Sequence, residues 1–264
     1  TRTASVSYLD LDWPSSCRRH HGPGFAGRQR DQRCPMSHTD GGPRQVLGLN
    51  EIAEMPQRRR ARLINSISGF KPANLVGTAD AHGNAACCIV SSVVHLGSNP
   101  ALMGVVFRPP GADAHNYRNL SSAGCFTLNH VTADMYTSAH QTSARYPENV
   151  SEFEAVGLTP HWHGPAEDQF QAPAVAESPV RMGLTVSEDL ALPNGCHFII
   201  GAVQWVDYRS NGQAEDGFLD LAALDTVCIG GLDAYYTASR LGRLSYAKPE
   251  SMPEVRTDFM KGWD

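Results

Sequence analysis

The sequence lacks the features that would assign it to several large protein classes. No run of about eighteen apolar residues occurs in the 264-residue chain, so we expect no membrane-spanning helix. The motifs GxSxG, HExxH, GxxxxGKS/T and GxGxxG are absent, which argues against the chemistries that they carry. The seven cysteines form no CxxC pair, which favours reduced, buried thiols in a cytoplasmic protein over a disulfide framework.

The chain also lacks the excess of basic residues that is typical of nucleic-acid-binding proteins. It holds 22 basic and 27 acidic residues, for a formal net charge of −5. Six arginines and only three acidic residues fall within residues 1–35, so the remainder has 16 basic and 24 acidic side chains. Because this body is acidic, we expect no nucleic acid among its partners.

The N-terminal stretch differs from the rest of the chain. Residues 1–35 show neither helical nor strand periodicity and contain no apolar segment of a signal peptide. Met36 follows directly and is a candidate translation start. We therefore interpret residues 1–45 as a disordered tail or a non-native upstream extension, and residues 46–264 as one domain.

The body is predicted to be mostly β, with a few peripheral helices. Helical spacing of apolar residues indicates helices at residues 50–68, 115–122 and 132–144. Strands are predicted in a hairpin over 74–92 that turns at 81–84, and at 101–108, 125–130, 180–187, 196–208 and 226–229. Residues 146–179 show no period and are predicted to form a long surface loop. Since helices do not alternate regularly with strands, an antiparallel barrel fits better than a doubly wound sheet.

Polar groups collect where predicted strands end and a predicted helix begins. A serine pair closes the hairpin, an arginine ends the next strand, and a histidine with two asparagines opens the short helix: Ser91, Ser92, Arg108, His115, Asn116 and Asn119. His115 and Asn119 share one helix face, and the N–H groups of the first turn could receive a phosphate. An ordinary helix cap by Asn116 explains the same residues equally well.

Two other groups of residues, a cysteine pair and a histidine pair, are better explained by structural roles than by catalysis or metal binding. Cys87 and Cys88 are adjacent on a predicted strand, so their side chains point to opposite faces and are expected to pack in the core. His161 and His163 flank Trp162 without a nearby Cys or acidic residue at metal-ligand spacing. That spacing favours a surface pair over a metal site.

Eight short segments form a combination that is far more specific than any one of them. They are LINSISGFKPANLVGT (63–78), SSVVHLGSNPALMGVVFRP (91–109), HNYRNL (115–120), FTLNH (126–130), AHQTSARYPENVSEFEAVGLTP (139–160), APAVAESPVRMGL (172–184), DGFLDL (216–221) and GLDAYY (231–236). In this combination the chain resembles the flavin reductase-like, FMN-binding split-barrel proteins, and especially their flavoredoxin-like bacterial subgroup.

The resemblance implies a fold and a set of flavin-binding residues. The implied fold is a six-stranded antiparallel split β-barrel with Greek-key order, built as a homodimer with flavin near the subunit interface. The apolar strand over 196–208 would then fill the barrel with one face and meet the partner with the other. The implied flavin contacts are Ser91 and Ser92 at the ring edge or ribityl chain, Arg108, His115, Asn116 and Asn119 at the phosphate, and Asn74 and His140 near the flavin.

The sequence departs from the family pattern at two positions. The pattern often has Asn at the position of Ala86, whereas the nearest asparagine here is Asn84, two places earlier. It usually has Thr where this chain has Asn116. Asparagine can also donate a hydrogen bond to a phosphate, but with a different geometry from threonine.

The resemblance implies an NAD(P)H-dependent flavin reductase, with FMN as cofactor, FAD as a second option, and NAD(P)H as co-substrate. In such a protein the flavin carries the hydride chemistry, so no acid or base from the chain is expected. A monooxygenase or a redox protein would be the partner that receives the electrons. Two alternatives stay open: a flavoredoxin-like FMN electron carrier that serves a protein partner, and a flavin-binding protein without catalysis.

Overall fold

A computed structural model describes residues 43–111, 114–147, 149–165 and 168–256. Of the predicted tail, residues 1–42 lie outside these ranges. The elements given below all belong to the unit formed by residues 49–264. Its α-helices are α1 (Leu49–Glu54), α2 (Gln57–Ile67), α3 (His115–Ala123), α4 (Tyr136–Gln141) and α5 (Glu152–Val156).

Antiparallel strands are the main regular structure of this unit and hold more residues than its helices, as the sequence predicts. They are β1 (Lys71–Pro72), β2 (Asn74–Ala79), β3 (Ala85–Val90), β4 (Val93–Ser98), β5 (Ala101–Phe107), β6 (Cys125–His130), β7 (Pro160–His161), β8 (Ala174–Val175), β9 (Val180–Ala191), β10 (His197–Tyr208), β11 (Val227–Gly230) and β12 (Ala234–Thr237). The main sheet has the order β3-β2-β6-β9-β10-β5-β4, and two small sheets have the orders β1-β11-β12 and β7-β8.

The main sheet closes on itself through a single bent strand. Its two outermost members, β3 and β4, are separated in the chain only by Ser91 and Ser92, so the ends of the sheet must meet there. The first half of this strand pairs with β2 and the second half with β5. The sheet therefore has seven strands instead of the expected six, because the bend at the serine pair divides one long strand into β3 and β4.

Two apolar cores lie on opposite faces of β2 and β3. Leu75 and Cys87 belong to the core under α4, α5 and β11, whereas Val76 belongs to the core inside the main sheet, against which Cys88 packs. The prediction that the two cysteines point to opposite faces is confirmed. Burial raises the pKa of both thiols well above the ordinary value of 9.0, so both stay protonated.

A glycine in β2 allows the chain segment before β8 to approach the sheet. A Cβ atom on Gly77 would overlap the carbonyl oxygen of Pro173 and crowd the hydroxyl of Thr127. That hydroxyl itself donates a 2.7 Å hydrogen bond to the same Pro173 carbonyl. Glycine at this position is therefore required by packing, and the close approach fixes the small β7-β8 sheet against the barrel.

Several observed elements differ from the predicted ones in their bounds or in their type of secondary structure. The predicted helix over 50–68 is divided into α1 and α2, which Pro56 separates. The helix predicted over 132–144 begins only at Tyr136, because Thr132 forms an antiparallel bridge to Thr226. The segment 146–179 is not simply a surface loop, because it contains α5, β7 and β8, and Phe153 is fully buried. Tertiary contacts stabilise these short elements, so no long sequence period marks them.

Candidate functional site

A buried threonine orients two amide side chains on α3. The hydroxyl of Thr78, near the end of β2, donates a 2.9 Å hydrogen bond to Oδ1 of Asn116 and accepts one of 3.3 Å from Nδ2 of Asn119. Thr78 is completely buried and Asn116 is 7% exposed. Because Oδ1 of Asn116 is held by Thr78, its NH2 group points away from the threonine. Asn116 is thus fixed through its side chain, and its role is not that of an ordinary N-cap.

The first turn of α3 also carries an imidazole with a defined tautomer. A guanidinium nitrogen of Arg118 lies 2.9 Å from Nδ1 of His115. Since a guanidinium only donates, Nδ1 accepts and the neutral ring carries its proton on Nε2. His115 therefore presents an N–H donor beside the backbone N–H groups of a nine-residue helix, the kind of arrangement that receives anions.

A buried carboxylate next to this turn also holds the outer edge of β3. Glu152, at the start of α5, accepts a 3.2 Å hydrogen bond from the Cys87 N–H, and the neighbouring Ser151 donates one of 2.6 Å to the Ala85 carbonyl. Thr142 accepts one of 2.9 Å from the Ile89 N–H. Burial raises the pKa of Glu152 above its ordinary 4.5, and hydrogen bonds from the backbone N–H groups of Glu152 itself and of Cys87 act in the opposite direction.

The serine pair and the predicted arginine come from neighbouring parts of the barrel wall. The Ser92 hydroxyl donates a 2.8 Å hydrogen bond to the Val106 carbonyl, which fixes the bend between β3 and β4 to the end of β5. Arg108 follows β5 immediately and is exposed. Ser91 and Ser92 are partly buried, so the bend combines accessible hydroxyl groups with a nearby cationic side chain.

Asn74 lies at the other end of β2 from Thr78. The two residues are four positions apart along the strand, a distance of about 13 Å. Asn74 is 1% exposed, and its Oδ1 atom is buried without a hydrogen-bond partner. It stands opposite His130 of β6, and burial lowers the pKa of His130 to about 4, so this imidazole is neutral at physiological pH. An unpartnered acceptor in such a place suits a donor group of a bound molecule.

His140 has a different setting from the other predicted residues. It is exposed on α4, and its Nδ1 atom lies 2.9 Å from the hydroxyl of Tyr235 on β12. The two rings meet edge to face, and burial raises the pKa of Tyr235 to about 12. Hydrogen bonds thus join Asn116 and Asn119 of the predicted set through Thr78, whereas His140 bonds to the small three-stranded sheet.

The departure at Ala86 adjoins the same network. Ala86 is the cross-strand partner of Thr78, and its methyl group can make no polar contact there. Thr78 itself was not predicted as a site residue. Its signal in the sequence was a polar side chain within the apolar strand NLVGTA, which buried positions tolerate only when the group is hydrogen-bonded.

A second polar cluster that the sequence analysis missed joins α3 to the β9–β10 hairpin. The hydroxyl of Tyr117 lies 2.7 Å from a carboxylate oxygen of Asp189 and 2.8 Å from Nδ1 of His197, and Nδ1 is 2.7 Å from the other oxygen of Asp189. Burial first, and the Asp189 contact second, raise the pKa of Tyr117. The three residues come from distant parts of the chain, so sequence spacing alone could not reveal them.

The two histidines around Trp162 have separate surroundings. The ring of His163 stacks on Trp205, with 4.2 Å between the ring centroids and 17° between the planes. Burial lowers the pKa of His161, and the nearby guanidinium of Arg181 does so further. The pair was expected to lie at the surface, and both side chains are partly buried against β9 and β10 instead.

The whole fold can be compared with known proteins. A family profile for the flavin reductase like domain matches residues 69–236, which is more than half of the chain. The chain belongs to the flavin reductase-like family. No helix of the described residues has the length and apolar content needed to span a membrane.

Solved structures from three bacteria share the fold of this flavin reductase-like chain. A candidate flavin reductase with a split barrel domain from Shewanella frigidimarina NCIMB 400 is 47% identical, covers 77% of this chain and 100% of its own, and superposes with a TM-score of 0.73. Nitrilotriacetate monooxygenase component B from Bacillus cereus is 19% identical over 77% of this chain and 100% of its own, with a TM-score of 0.67. Flavoredoxin of Desulfovibrio vulgaris (Miyazaki F) is 23% identical over 69% of this chain and 92% of its own, with a TM-score of 0.55.

The polar groups around α3 suit the phosphate end of a flavin nucleotide. A phosphate needs several hydrogen-bond donors and benefits from positive charge. The imidazole N–H of His115 and the amides of Asn116 and Asn119 are hydrogen-bond donors on α3, and Arg108, which follows β5, carries a positive charge. At the other end of β2, the buried acceptor Oδ1 of Asn74 suits a ring N–H or a ribityl hydroxyl group. The residues of the chain therefore fit this cofactor.

Proposed function

We propose that this protein is an NAD(P)H-dependent flavin oxidoreductase that binds FMN beside α3. The observation that carries the proposal is the pair of amides that Thr78 holds in place in a chain of the flavin reductase-like family. A site whose donors are already oriented loses less conformational entropy when it binds an anion. FAD fits the same phosphate contacts and is the second option for the cofactor.

Each part of the site has one task in this proposal. Arg108, His115, Asn116 and Asn119 hold the phosphate. Ser91 and Ser92 approach the ring edge or the ribityl chain, and Asn74 and His140 lie near the flavin. When bound, the flavin supplies the redox chemistry by accepting a hydride from the reduced nicotinamide. The chain itself orients the cofactor and needs no general acid or base for that step.

The proposal includes a homodimer in the cytoplasm. Val206 and Tyr208 on the outer face of β10 are 51% and 36% exposed, as expected for a strand that meets a partner with its second face. Leu96 on β4 is 41% exposed and adds to the apolar surface. The cysteines of the described residues are free, as in proteins of reducing compartments.

The electrons leave the flavin for a protein partner in this proposal. The name of the Bacillus cereus structure assigns it to a monooxygenase system, and that of the Desulfovibrio vulgaris structure to the flavoredoxins. A monooxygenase or a redox protein is accordingly the proposed acceptor. The acidic body, with 16 basic and 24 acidic residues after position 35, favours a partner with a basic docking surface.

Absorption spectroscopy tests the proposal directly. Purified protein is mixed with FMN or FAD, desalted, and then treated with NADH or NADPH in the absence of air. Retained flavin absorbance that bleaches on addition of a nicotinamide supports the reductase. Retained absorbance that persists, but bleaches with a reduced protein donor, would instead favour the flavoredoxin-like carrier. Absence of both flavin retention and steady-state flavin reduction would overturn the proposal.

Two variants test where the phosphate binds. Arg108→Ala and His115→Ala should each weaken FMN binding by about 1–3 kcal/mol, because each removes a charged or strongly polar donor. Arg59→Ala, on the exposed α2 helix, is the matched control and should leave the affinity unchanged. Unchanged affinity in both test variants would remove these two residues from the site.

A further inference from the structure

A large cavity has no task in the proposed flavin chemistry. It lies between the β2–β3 turn, the last turn of α3 and the chain segment after β7, and we call it the α3-end cavity. Its lining includes Asp80, Ser122, Trp162, Asp168 and Phe170. Its volume of about 720 Å³ lies within the range of about 300–1,000 Å³ that is usual for small-molecule sites. The cavity is therefore large enough for an organic molecule.

The α3-end cavity adjoins the opposite end of α3 from the proposed phosphate site. His115 opens this helix, whereas Ser122 and Ala123 lie in its last turn. Seven residues of an α-helix, from His115 to Ser122, rise about 10 Å. The segment between β7 and β8, which forms another wall of the cavity, contains none of the residues proposed to bind flavin. The cavity is thus separate from the proposed flavin contacts.

Two carboxylates give this cavity negative charge. Asp80, in the β2–β3 turn, accepts hydrogen bonds of 2.8 Å and 2.9 Å from the N–H groups of His82 and Asn84, and one of 2.7 Å from the Asn84 side-chain amide. These bonds, with that of the Asn84 side chain as the largest cause, hold the pKa of Asp80 below its ordinary 3.8, so the carboxylate is ionised at physiological pH. Asp168, the second carboxylate, is exposed and comes from the segment after β7.

No positive side chain balances this charge in the cavity wall. Among the described residues that line the cavity, none is Lys, Arg or His. His82 lies near enough to Asp80 to favour its charged form, but it does not line the cavity. The last turn of α3 carries no basic residue, and the carbonyl groups at this end of a helix carry partial negative charge. The wall therefore attracts a cation and disfavours a phosphate.

Two aromatic rings make the cavity suitable for a cation with an apolar part. Trp162 and Phe170 line it, and both are partly buried. Phe170 meets Trp205 edge to face, with 5.6 Å between the ring centroids, and its N–H donates a 2.9 Å hydrogen bond to the His163 carbonyl. The faces of Trp and Phe rings attract ammonium groups, and their apolar surface packs against alkyl chains. A bare metal ion would use the carboxylates but not these rings.

We propose that the α3-end cavity binds an aliphatic amine that carries two or more ammonium groups. The ammonium groups pair with Asp80 and Asp168. The alkyl chain between them packs against Trp162 and Phe170. An anion would meet two carboxylates and a helix C-terminus, and a neutral molecule would leave both charges without a partner. This inference goes beyond the proposed flavin chemistry and does not depend on it.

Isothermal titration calorimetry tests the class of ligand. The full-length protein, both flavin-free and saturated with FMN, is titrated with spermidine, with diaminopentane and with the diol of the same chain length as diaminopentane. We expect saturable binding of both amines in both samples, and none of the diol. No saturable binding of either amine at millimolar concentration, or equal binding of the diol, would overturn the proposal. Competition between spermidine and FMN would also overturn it, because the cavity would then belong to the flavin site. The flavin-free sample gives the result even if the flavin proposal fails.

Single substitutions test where the amine binds. Asp80→Asn and Asp168→Asn should each raise the dissociation constant of spermidine about 5- to 10-fold, because each removes a charge-assisted hydrogen bond at a partly solvated site. Trp162→Leu should raise it about 3- to 10-fold through loss of the aromatic face. Asp134→Asn, in the exposed turn before α4, removes the same charge outside the cavity and should leave the constant unchanged.

The same variants keep the test independent of folding defects. Asp168 is exposed, so its substitution changes charge without disturbing the turn that Asp80 holds together. Melting temperatures of all variants are recorded beside the titrations. Unchanged affinity in Asp168→Asn and Trp162→Leu, or an equal loss in Asp134→Asn, would show that the amine does not bind in this cavity and would contradict the proposal.

Discussion

Replacing Thr78 by Val tests whether one buried hydroxyl sets the geometry of the flavin site. Valine has nearly the same shape, so the apolar packing of β2 is preserved, but both hydrogen bonds to the α3 amides are lost. Oδ1 of Asn116 is then left without its partner at a position that is 7% exposed. The Asn116 amide is expected to rotate in order to find another donor, which removes its NH2 group from the phosphate position.

The structure gives the expected size of this effect. Leaving a buried acceptor unpaired costs about 1–3 kcal/mol of unfolding free energy. For a domain of this length, each kcal/mol lowers the melting temperature by about 2–4 °C. Loss of one hydrogen bond to a charged phosphate costs about 1.5–3 kcal/mol of binding free energy. That loss raises the dissociation constant of FMN by about 10- to 100-fold.

A matched variant separates the effect on stability from the effect on binding. Thr127 is also completely buried, donates to a carbonyl and accepts from an asparagine, but these partners are Pro173 and Asn129. Thr127→Val should therefore lower the melting temperature by a similar amount and leave FMN affinity unchanged. Isothermal titration at a temperature well below both transitions provides the comparison. If Thr78→Val binds FMN as wild type does, or if both variants weaken binding equally, the proposed role of Thr78 is wrong.

Three further predictions concern the scaffold around the site. The pKa of Glu152 in the folded protein is raised above 4.5, so the folded protein keeps this proton to a higher pH than the unfolded chain does. The unfolding free energy therefore decreases as pH rises through the folded-state pKa. Glu152→Gln should reduce this pH dependence in melting curves recorded from pH 4 to 8. Tyr117→Phe removes the hydroxyl shared by Asp189 and His197 and should lower the unfolding free energy in urea by about 0.5–1.5 kcal/mol, whereas no change would show that the three residues do not stabilise α3. Gly77→Ala should cost about 1–3 kcal/mol or more in the same assay, because the added methyl group overlaps a backbone carbonyl, and a neutral result would contradict the packing described here.

The part of the fold that sequence patterns predict is the part with clear local signals. The strand over Cys125–His130 was predicted with its observed bounds, and the helix that begins at His115 was predicted to within one residue of its end. The hairpin turn has Gly83 at a φ of +81°, which few residues other than glycine adopt readily. In these segments, side-chain alternation and turn residues agree with the tertiary structure.

Other parts of the fold depend on contacts between distant residues. Thr132 has the side chain of an N-cap, but it forms a bridge to Thr226, and a turn over residues 133–135 precedes the helix. The five-residue helix α5 is too short for a helical period, and buried Phe153 and Glu152 hold it against β3. Long-range pairing of this kind cannot be read from a local window of sequence.

The residues of the site also divide into those with a local sequence signal and those that only long-range contacts reveal. The spacing of His115, Asn116 and Asn119 placed them together on one helix. No spacing pointed to Thr78, 38 residues before Asn116, as the group that orients them. Likewise the residue types of Tyr117, Asp189 and His197 are informative only after the β9–β10 hairpin has brought them within hydrogen-bond distance.

The side chains that bond to the outer edge of β3 also affect how readily this protein aggregates. An open β-strand edge offers a row of N–H and C=O groups that can pair with any extended chain and so start aggregation. Ser151, Glu152 and Thr142 occupy three of these groups on alternate residues of β3, in place of another strand. A foreign strand would have to displace three hydrogen bonds and the packing of α5 before it could add there. The barrel is thereby protected from uncontrolled growth of its sheet at this edge.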